Sequence, residues 1–344
     1  MQSVARSTFI AVLSVLGVAA FLGVTGRAQQ RPAAPPQLNF ANINVETLHV
    51  QGNVYMAVGG PFNAAFSVGD DGVLVVDTMV EQLGDKLIEA IRKVAGNKPI
   101  RYVFNTHWHQ DHTGGNVTVA DAGQSVVAGN FAGQAGAAQS ERAFIWAHEN
   151  TLHRLTLTEK TPNPIPVAAW PTDAYFTDRK EIYFNGEAVQ LLWAPNAHTD
   201  GDSIVFFRKS DVIVAGDIYM NTSYPIFVQD QGGSFNGLLN ALNTIIELTV
   251  PRDKQEGGTY VIPGHGRLVD EADVVEYRDL ATIIRDRIQD AIKKGMTLDQ
   301  VKAAKLTLDY DGRYGATTGF WTTDAFVEAA YKSLSAPAAN VSQR

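Results

Sequence analysis

The chain has 344 residues, 45 % of them hydrophobic and 9 % aromatic, with a formal charge of -8 and no cysteine. That length and apolar content allow one or two domains with a sizeable core and exclude a disordered chain. The acidic balance argues against a nucleic-acid partner, which needs a basic footprint, and the missing cysteines exclude disulfides and thiolate metal ligands.

At the N-terminus, Arg6 precedes an apolar run from Phe9 to Val24, and Gly26-Arg27-Ala28 supplies small residues at a cleavage position. This layout predicts a signal peptide over residues 1–28 and a periplasmic or secreted protein. An uncleaved anchor is the alternative, and only then is a membrane contact expected; the run is short of the ~20 apolar residues a span needs. Cleavage would remove Arg6 and Arg27 and take the formal charge from -8 to about -10. Residues 29–44, rich in Pro, Ala and Gln up to Gln37, read as a linker.

Short strands are predicted over Val45–Val50, Val54–Val58 and Ala64–Val68, separated by Gly-containing turns. Gly72 to Asp77 is a β-branched run that ends in a carboxylate, as a buried strand with a polar tip would. From Glu81 to Ala95, Leu83, Leu87, Ile88, Ile91 and Val94 recur at helical spacing. Ile100–Phe104 is the next strand, and it leads into Thr106-His107-Trp108-His109-Gln110-Asp111-His112-Thr113-Gly114-Gly115-Asn116.

Three of the chain's 8 histidines and one carboxylate crowd into this motif. Imidazoles packed side by side must find polar partners or lose hydration, and a metal ion resolves the conflict. His107 and His109 are two apart, which on an extended or loop backbone points both rings the same way. Asp111 and His112 are placed to serve a second ion.

Further along, His148 and His153 lie near Glu149 and Arg154 and are expected on a solvated helix face, or else at an entrance to the site. The proline-rich segment Asn163–Pro171 reads as a loop, structural or lid-like. Ala188–Trp193 is a strand that leads to His198, with Asp200 and Asp202 beside it in expected turn roles. Ser203–Phe207 and Val212–Ala215 read as a hairpin that ends at Gly216-Asp217. Tyr219, Asn221 and Tyr224 follow and are candidate substrate contacts. A helix is predicted over Gly237–Leu248, and the strand Thr259–Ile262 precedes Pro263-Gly264-His265-Gly266. A long amphipathic helix covers Asp273–Lys294; Thr297 is the expected N-cap of Leu298–Ala304, and Thr323 that of Asp324–Leu334. Metal-competent residues thus follow directly on apolar segments at Asp77, His107, His198, Asp217 and His265, as sites at strand ends do. His49, between Leu48 and Val50, is expected at the surface, and Trp108 is expected to pack.

This order resembles the metallo-β-lactamase superfamily: an Asp at a strand tip (Asp77), then H-x-H-x-D-H (His107 to His112), then His198, Asp217 and His265. The likeness runs from about Asn53 to Arg267. It implies an α/β fold, an αββα four-layer sandwich over residues 45–270 with the metals at one edge of the sheets. A C-terminal helical extension, residues 271–344, would pack on it. The resemblance assigns His107, His109 and His198 to a first zinc and Asp111, His112 and His265 to a second. Asp217 would bridge them as in glyoxalase II-like members, and Asp77 would orient the cluster from behind. Zinc is the default, with iron or manganese also compatible.

The implied function is a di-zinc hydrolase of a small-molecule ester, thioester, lactone or amide. A hydroxide shared between two cations ~3.5–4 Å apart would attack, with Asp111 orienting it. β-lactamase activity of the cysteine-free type and a non-catalytic metal-binding role in a periplasmic oxidation system are the alternatives. Asp217 argues against a dedicated β-lactamase. The glutathione-binding motif of glyoxalase II is not visible. Specificity is expected in Pro61–Phe66, Thr161–Pro171 and Tyr219–Gly233.

Overall fold

Strands β1 (Val45–Gln51), β2 (Val54–Gly59), β3 (Phe62–Gly69) and β4 (Gly72–Val76) form an antiparallel meander in the computed structural model, which describes residues 38–125 and 142–336. The expected signal peptide, the start of the linker and the last eight residues lie outside the described residues. Helix α1 (Gly84–Ala95) crosses to β5 (Ile100–Phe104), which pairs parallel to β4. Next come α2 (Gln110–Thr113), α3 (Asn116–Asp121), β6 (Phe144–His148), α4 (Glu149–Leu157) and β7 (Asp173–Tyr175). The first sheet has the order β1 to β7, parallel from β4 onward.

The second sheet is built from β8 (Arg179–Phe184), β9 (Glu187–Trp193), β10 (Ser203–Phe207) and β11 (Val212–Gly216). Helix α5 (Phe235–Leu248) connects β11 to the parallel strand β12 (Tyr260–Pro263), which β13 (Val269–Asp270) flanks. The strand order is β13-β12-β11-β10-β9-β8. Three further helices and a short turn of helix follow: α6 (Glu271–Lys293), α7 (Leu298–Ala303), α8 (Asp311–Tyr314) and α9 (Thr323–Ser335).

Strand periodicity sets the layers. On β4, Leu74 and Val76 face the second sheet, while Val73 and Val75 face outward. On β11, Val212 and Val214 turn inward and Ile213 and Ala215 outward. The inner core therefore joins Leu74 and Phe104 to Val189, Leu191, Val205 and Ile262. One outer core seats Leu87 and Ile91 of α1 on the first sheet, and the other seats Leu238 and Leu242 of α5 on the second. The result is the expected αββα sandwich.

Two expectations shift and a third holds. The tail of the linker belongs to the fold, because Phe40 and Ile43 are apolar and pack on the α1 side of the first sheet, where Lys86 Nζ donates to their carbonyl oxygens at 2.9 and 2.6 Å. The helical extension packs on the sandwich as expected, with Val274, Ile284 and Ile288 of α6 and Phe326 of α9 sharing one core with Ile213 of the sheet. The N-cap of α9 is Thr322, whose side chain accepts from Ala325 N, whereas Thr323 Oγ1 accepts from Ala316 N.

Leu74 is fully buried between the sheets. Leu74→Ala is expected to lower unfolding free energy by about 2–5 kcal/mol in denaturant titration, through lost transfer energy and a cavity; a loss under 1 kcal/mol would mean the sheets close over it.

Candidate metal centre

Five segments end at one edge of the two sheets. β4 delivers Asp77, whose φ of 62° is a left-handed conformation that a non-glycine residue adopts only when its surroundings fix it. What fixes it is its carboxylate. Oδ1 accepts from Thr106 N at 2.8 Å, and Oδ2 accepts from Thr106 Oγ1 at 2.7 Å and from His112 Nδ1 at 2.8 Å. β5 delivers His107 and His109, and the single turn of α2 carries Asp111 and His112. The loop after β9 brings His198, the residue after β11 is Asp217, and the residue two past β12 is His265.

Each imidazole is anchored through one nitrogen. His198 Nδ1 donates to Ile226 O at 2.8 Å and His265 Nδ1 to Pro61 O at 2.7 Å; a carbonyl only accepts, so in the neutral ring each Nε2 keeps a free lone pair. His109 Nε2 donates to Gln231 Oε1 at 2.6 Å, which frees its Nδ1. His107 Nδ1 lies 3.2 Å from Thr106 Oγ1, which already donates to Asp77 and so accepts from the ring. All five free nitrogens face inward.

There they form two groups. His107 Nε2 and His198 Nε2 each lie 3.0 Å from His109 Nδ1. On the other side, His265 Nε2 lies 3.2 Å from Asp111 Oδ2, with His112 Nε2 3.9 Å from the same oxygen. Asp217 stands between the groups. Its Oδ2 lies 3.9 and 3.7 Å from His107 and His198 Nε2, and its Oδ1 lies 3.2 and 3.4 Å from His112 and His265 Nε2.

The donor set fits two divalent cations. Within each group, one with His107, His109, His198 and Asp217 and one with Asp111, His112, Asp217 and His265, all ligand atoms lie within 4.8 Å of one another. His112 Nε2 and Asp217 Oδ1 are buried without a hydrogen-bond partner, which is costly unless a cation satisfies them. Gly264 has no alternative here, because a Cβ would come within 2.0 Å of Asp217 Oδ1.

A sequence model described as the metallo-beta-lactamase superfamily matches residues 57–266, more than half of the chain. The chain belongs to the metallo-beta-lactamase superfamily. A curated relative, the 2,4-dinitroanisole O-demethylase subunit alpha of Nocardioides sp. (strain JS1661), is 24% identical over 186 residues, 53% of this chain and 49% of that protein. The chain thus spans about half the length of that relative. The metallo-beta-lactamase from Pontibacter korlensis superposes with a TM-score of 0.51 at 14% identity, covering 70% of this chain and 99% of the other. The stereoselective inverting sec-alkylsulfatase Pisa1 from Pseudomonas sp. gives 0.57 at 15% identity, over 84% of this chain and 50% of that one. At these identities the structural likenesses are of fold.

The seven expected ligands and Asp77 of this superfamily member are brought together; the three expected substrate contacts are not. Tyr219 is buried edge-on against Tyr277, with ring centroids 5.0 Å apart, in the helical layer. Tyr224 stacks on Phe326 and donates to Asp311 Oδ1 at 2.8 Å. Asn221 holds the backbone of Arg267 through its Nδ2 and Oδ1. Their neighbours Met220, Thr222 and Ser223 instead line a cavity that also exposes His109, Asp111, His198, Asp217 and His265.

His148 ends a strand rather than lying on a helix face, and it is buried flat against Trp193 at 4.5 Å. His153 is exposed, as is His49, whose Nε2 lies 2.9 Å from Gly52 O. Asp202 closes a turn by accepting from Thr199 N and Oγ1, and Asp200 pairs with Arg154. Trp108 and the 163–171 loop pack together through Ile165 and Ala169, a structural role.

Gln231 was missed, since one glutamine in a loop carries no signal. So was the buried pair Asn105 and Asn116, whose amides bond each other at 2.9 and 3.0 Å behind the motif.

The two groups differ in protonation. Burial lowers His107 well below its usual value, lowers His109, and brings His198 to about 4, so the three imidazoles of the first group are neutral at pH 7. Burial opposes charge on His265 too, but Asp217 and Asp111 outweigh it and raise His265 to about 10. His112 is likewise raised by Asp217 and Asp77 against its burial. A raised histidine keeps its proton below its ordinary pKa of 6.5 and loses it only as pH climbs towards about 10.

A cation entering the second group must displace protons, and one entering the first need not. Zinc titrated into chelator-stripped protein is therefore expected to bind in two steps, with only the second strengthening markedly from pH 6.5 to 8.5. Calorimetry in buffers of different ionisation enthalpy reads the protons; equal release in both steps would refute the asymmetry. Gln231→Ala is expected to weaken the first step by about 10–100-fold and leave the second within threefold, because it frees the His109 ring.

Proposed function

We propose that this chain is a dinuclear metal-dependent hydrolase, with zinc as the default ion in both groups and iron or manganese as substitutes. The observation that supports it most is Asp217, whose two oxygens face two separate three-residue ligand groups. His107, His109 and His198 would hold one ion, Asp111, His112 and His265 the other. When bound, such a pair lowers the pKa of a water towards ~7 and polarises the substrate oxygen.

The chain's own residues orient and shield. Burial would raise the Asp111 carboxyl, yet His112 and His265 hold it at about 2, so it stays ionised through the neutral range. A carboxylate that acidic is a poor proton carrier at pH 7. Its role is to accept a hydrogen bond and fix the direction of the attacking water. Asp77 locks the His112 ring and, through Thr106, the His107 ring, so the ligands need no reorganisation during turnover. A nucleophilic side chain is not required. The substrates that fit this chemistry are esters, thioesters, lactones and amides, β-lactams included. The name of the Nocardioides relative adds an aryl methyl ether to those worth assaying.

Protein carrying two equivalents of zinc is expected to turn over at least one member of such a panel. Asp217→Asn is expected to lower kcat/KM by at least about a hundredfold, since the amide cannot serve both groups with charge. His109→Ala should lose both metal and activity. Fully loaded protein that turns over nothing would favour a non-catalytic metal-binding role, and survival of both properties in His109→Ala would refute the ligand assignment.

A further inference from the structure

The metal ligands form the floor of a cavity of about 1240 Å³, above the about 300–1,000 Å³ of ordinary ligand pockets. His109, Asp111, His198, Asp217 and His265 line one end. Most of the remaining wall is apolar, with Met56 and Val58 from β2, Phe62 from β3, Met220 and Ile226 from the loop after Asp217, and Trp321; Gln110, Thr222, Ser223 and Thr318 add uncharged polar groups. At the rim, Leu48 and Phe320 are 49% and 85% exposed, so apolar surface continues to the solvent. Among the described lining residues the only lysine or arginine is Arg267, and its guanidinium is already paired with Asp273. The acidic residues of the lining, Asp111 and Asp217, both belong to the ligand groups.

We propose, resting on the hydrolase reading above, that the substrate is an uncharged ester with a long apolar tail. The tail lies between β2 and the segment carrying Phe320 and Trp321, and the ester carbonyl reaches the metal ligands. Hydrolysis breaks the acyl C–O bond and adds one water, giving an alcohol and a carboxylate. Among the described residues, the lining away from the ligand groups offers no unpaired cationic side chain. This lack disfavours substrates with a charge far from the reacting bond, because a buried charge without a partner is expensive. β-Lactams and glutathione thioesters both carry such carboxylates.

The test is kcat/KM of the two-zinc protein on p-nitrophenyl esters from acetate to dodecanoate, below micelle formation, beside ω-carboxylated counterparts. The expected result is a rise of up to about fourfold per methylene, the factor given by about 0.8 kcal/mol of burial per methylene. The ω-carboxylates should fall at least about tenfold below the neutral ester of equal length. Phe320→Ser and Leu48→Ser, both exposed and so tolerated by the fold, should flatten the slope. Tyr183→Ser, on exposed β8 surface outside the cavity, should leave it unchanged.

A flat or falling series, or ω-carboxylates turned over equally well, would overturn the proposal. A second measurement needs no turnover: displacement of the neutral probe N-phenyl-1-naphthylamine by alcohols from hexanol to dodecanol. Displacement that tightens with chain length while no ester is hydrolysed would sink the hydrolase reading and keep the apolar cavity assignment. Hydrolysis without length dependence in either assay would do the reverse.

Discussion

The rings of His107, His109 and His198 are held with unprotonated nitrogens 3.0 Å apart, an arrangement that repels unless a cation lies among them. Much of the surrounding structure maintains that contact. Each of the five clustered imidazoles, these three with His112 and His265, has an acceptor behind it, and the acceptors come from four separate places: Asp77 directly and through Thr106, Gln231, and the carbonyls of Ile226 and Pro61. Removing one acceptor lets its ring turn and offer an N–H where a lone pair is needed. The strained backbone of Asp77 and the close approach of Gly264 to Asp217 follow from the same demand.

The ligands come from both sheets, so the centre is also a junction. Asp77 and His107 end strands of the first sheet; His198, Asp217 and His265 follow strands of the second. The inner apolar core cannot extend to this edge, where polar side chains replace it. Hydrogen bonds close the gap: Ser203 N donates to Thr106 O at 2.7 Å, and Asn63 Nδ2 donates to Pro263 O and Gly266 O at 2.9 Å. A cation held by both sheets would add to these ties, which would link metal affinity to stability in this fold.

The strands nearest the site were legible because their tips break sharply from apolar to polar: β5 and β10 begin and end where the pattern predicts. Less was visible where the reason is tertiary. β6 and β7 are short strands between loops, fixed by parallel pairing to β5 rather than by their own pattern. β8 could have been found, since Asn185-Gly186 joins it to β9 with both residues at positive φ, a strong hairpin signal. The converging candidate ligands were legible because histidines and aspartates at strand tips are chemically conspicuous. The residues that hold them were not, because Gln231, Asn105 and Asn63 acquire their roles only from distant partners. Tyr219 and Tyr224 misled for the opposite reason: proximity in sequence to Asp217 does not give orientation, and both aromatic rings are drawn into the core under α6 and α9.

The cavity wall and the ligand supports are parts of the same segments, yet they use different atoms. Ile226 lines the cavity with its side chain and holds His198 with its carbonyl oxygen. Pro61 does the same for His265, and Phe62 beside it forms apolar wall. A carbonyl oxygen is present whatever side chain its residue carries. Side chains along these walls can therefore change, and with them the shape of the accepted substrate, while the acceptors behind the two histidines stay in place. Gln231 is the exception, because there the acceptor is itself a side chain. On the proposed reading, this division would place specificity in wall side chains from three separate stretches of the chain, where no short motif records it.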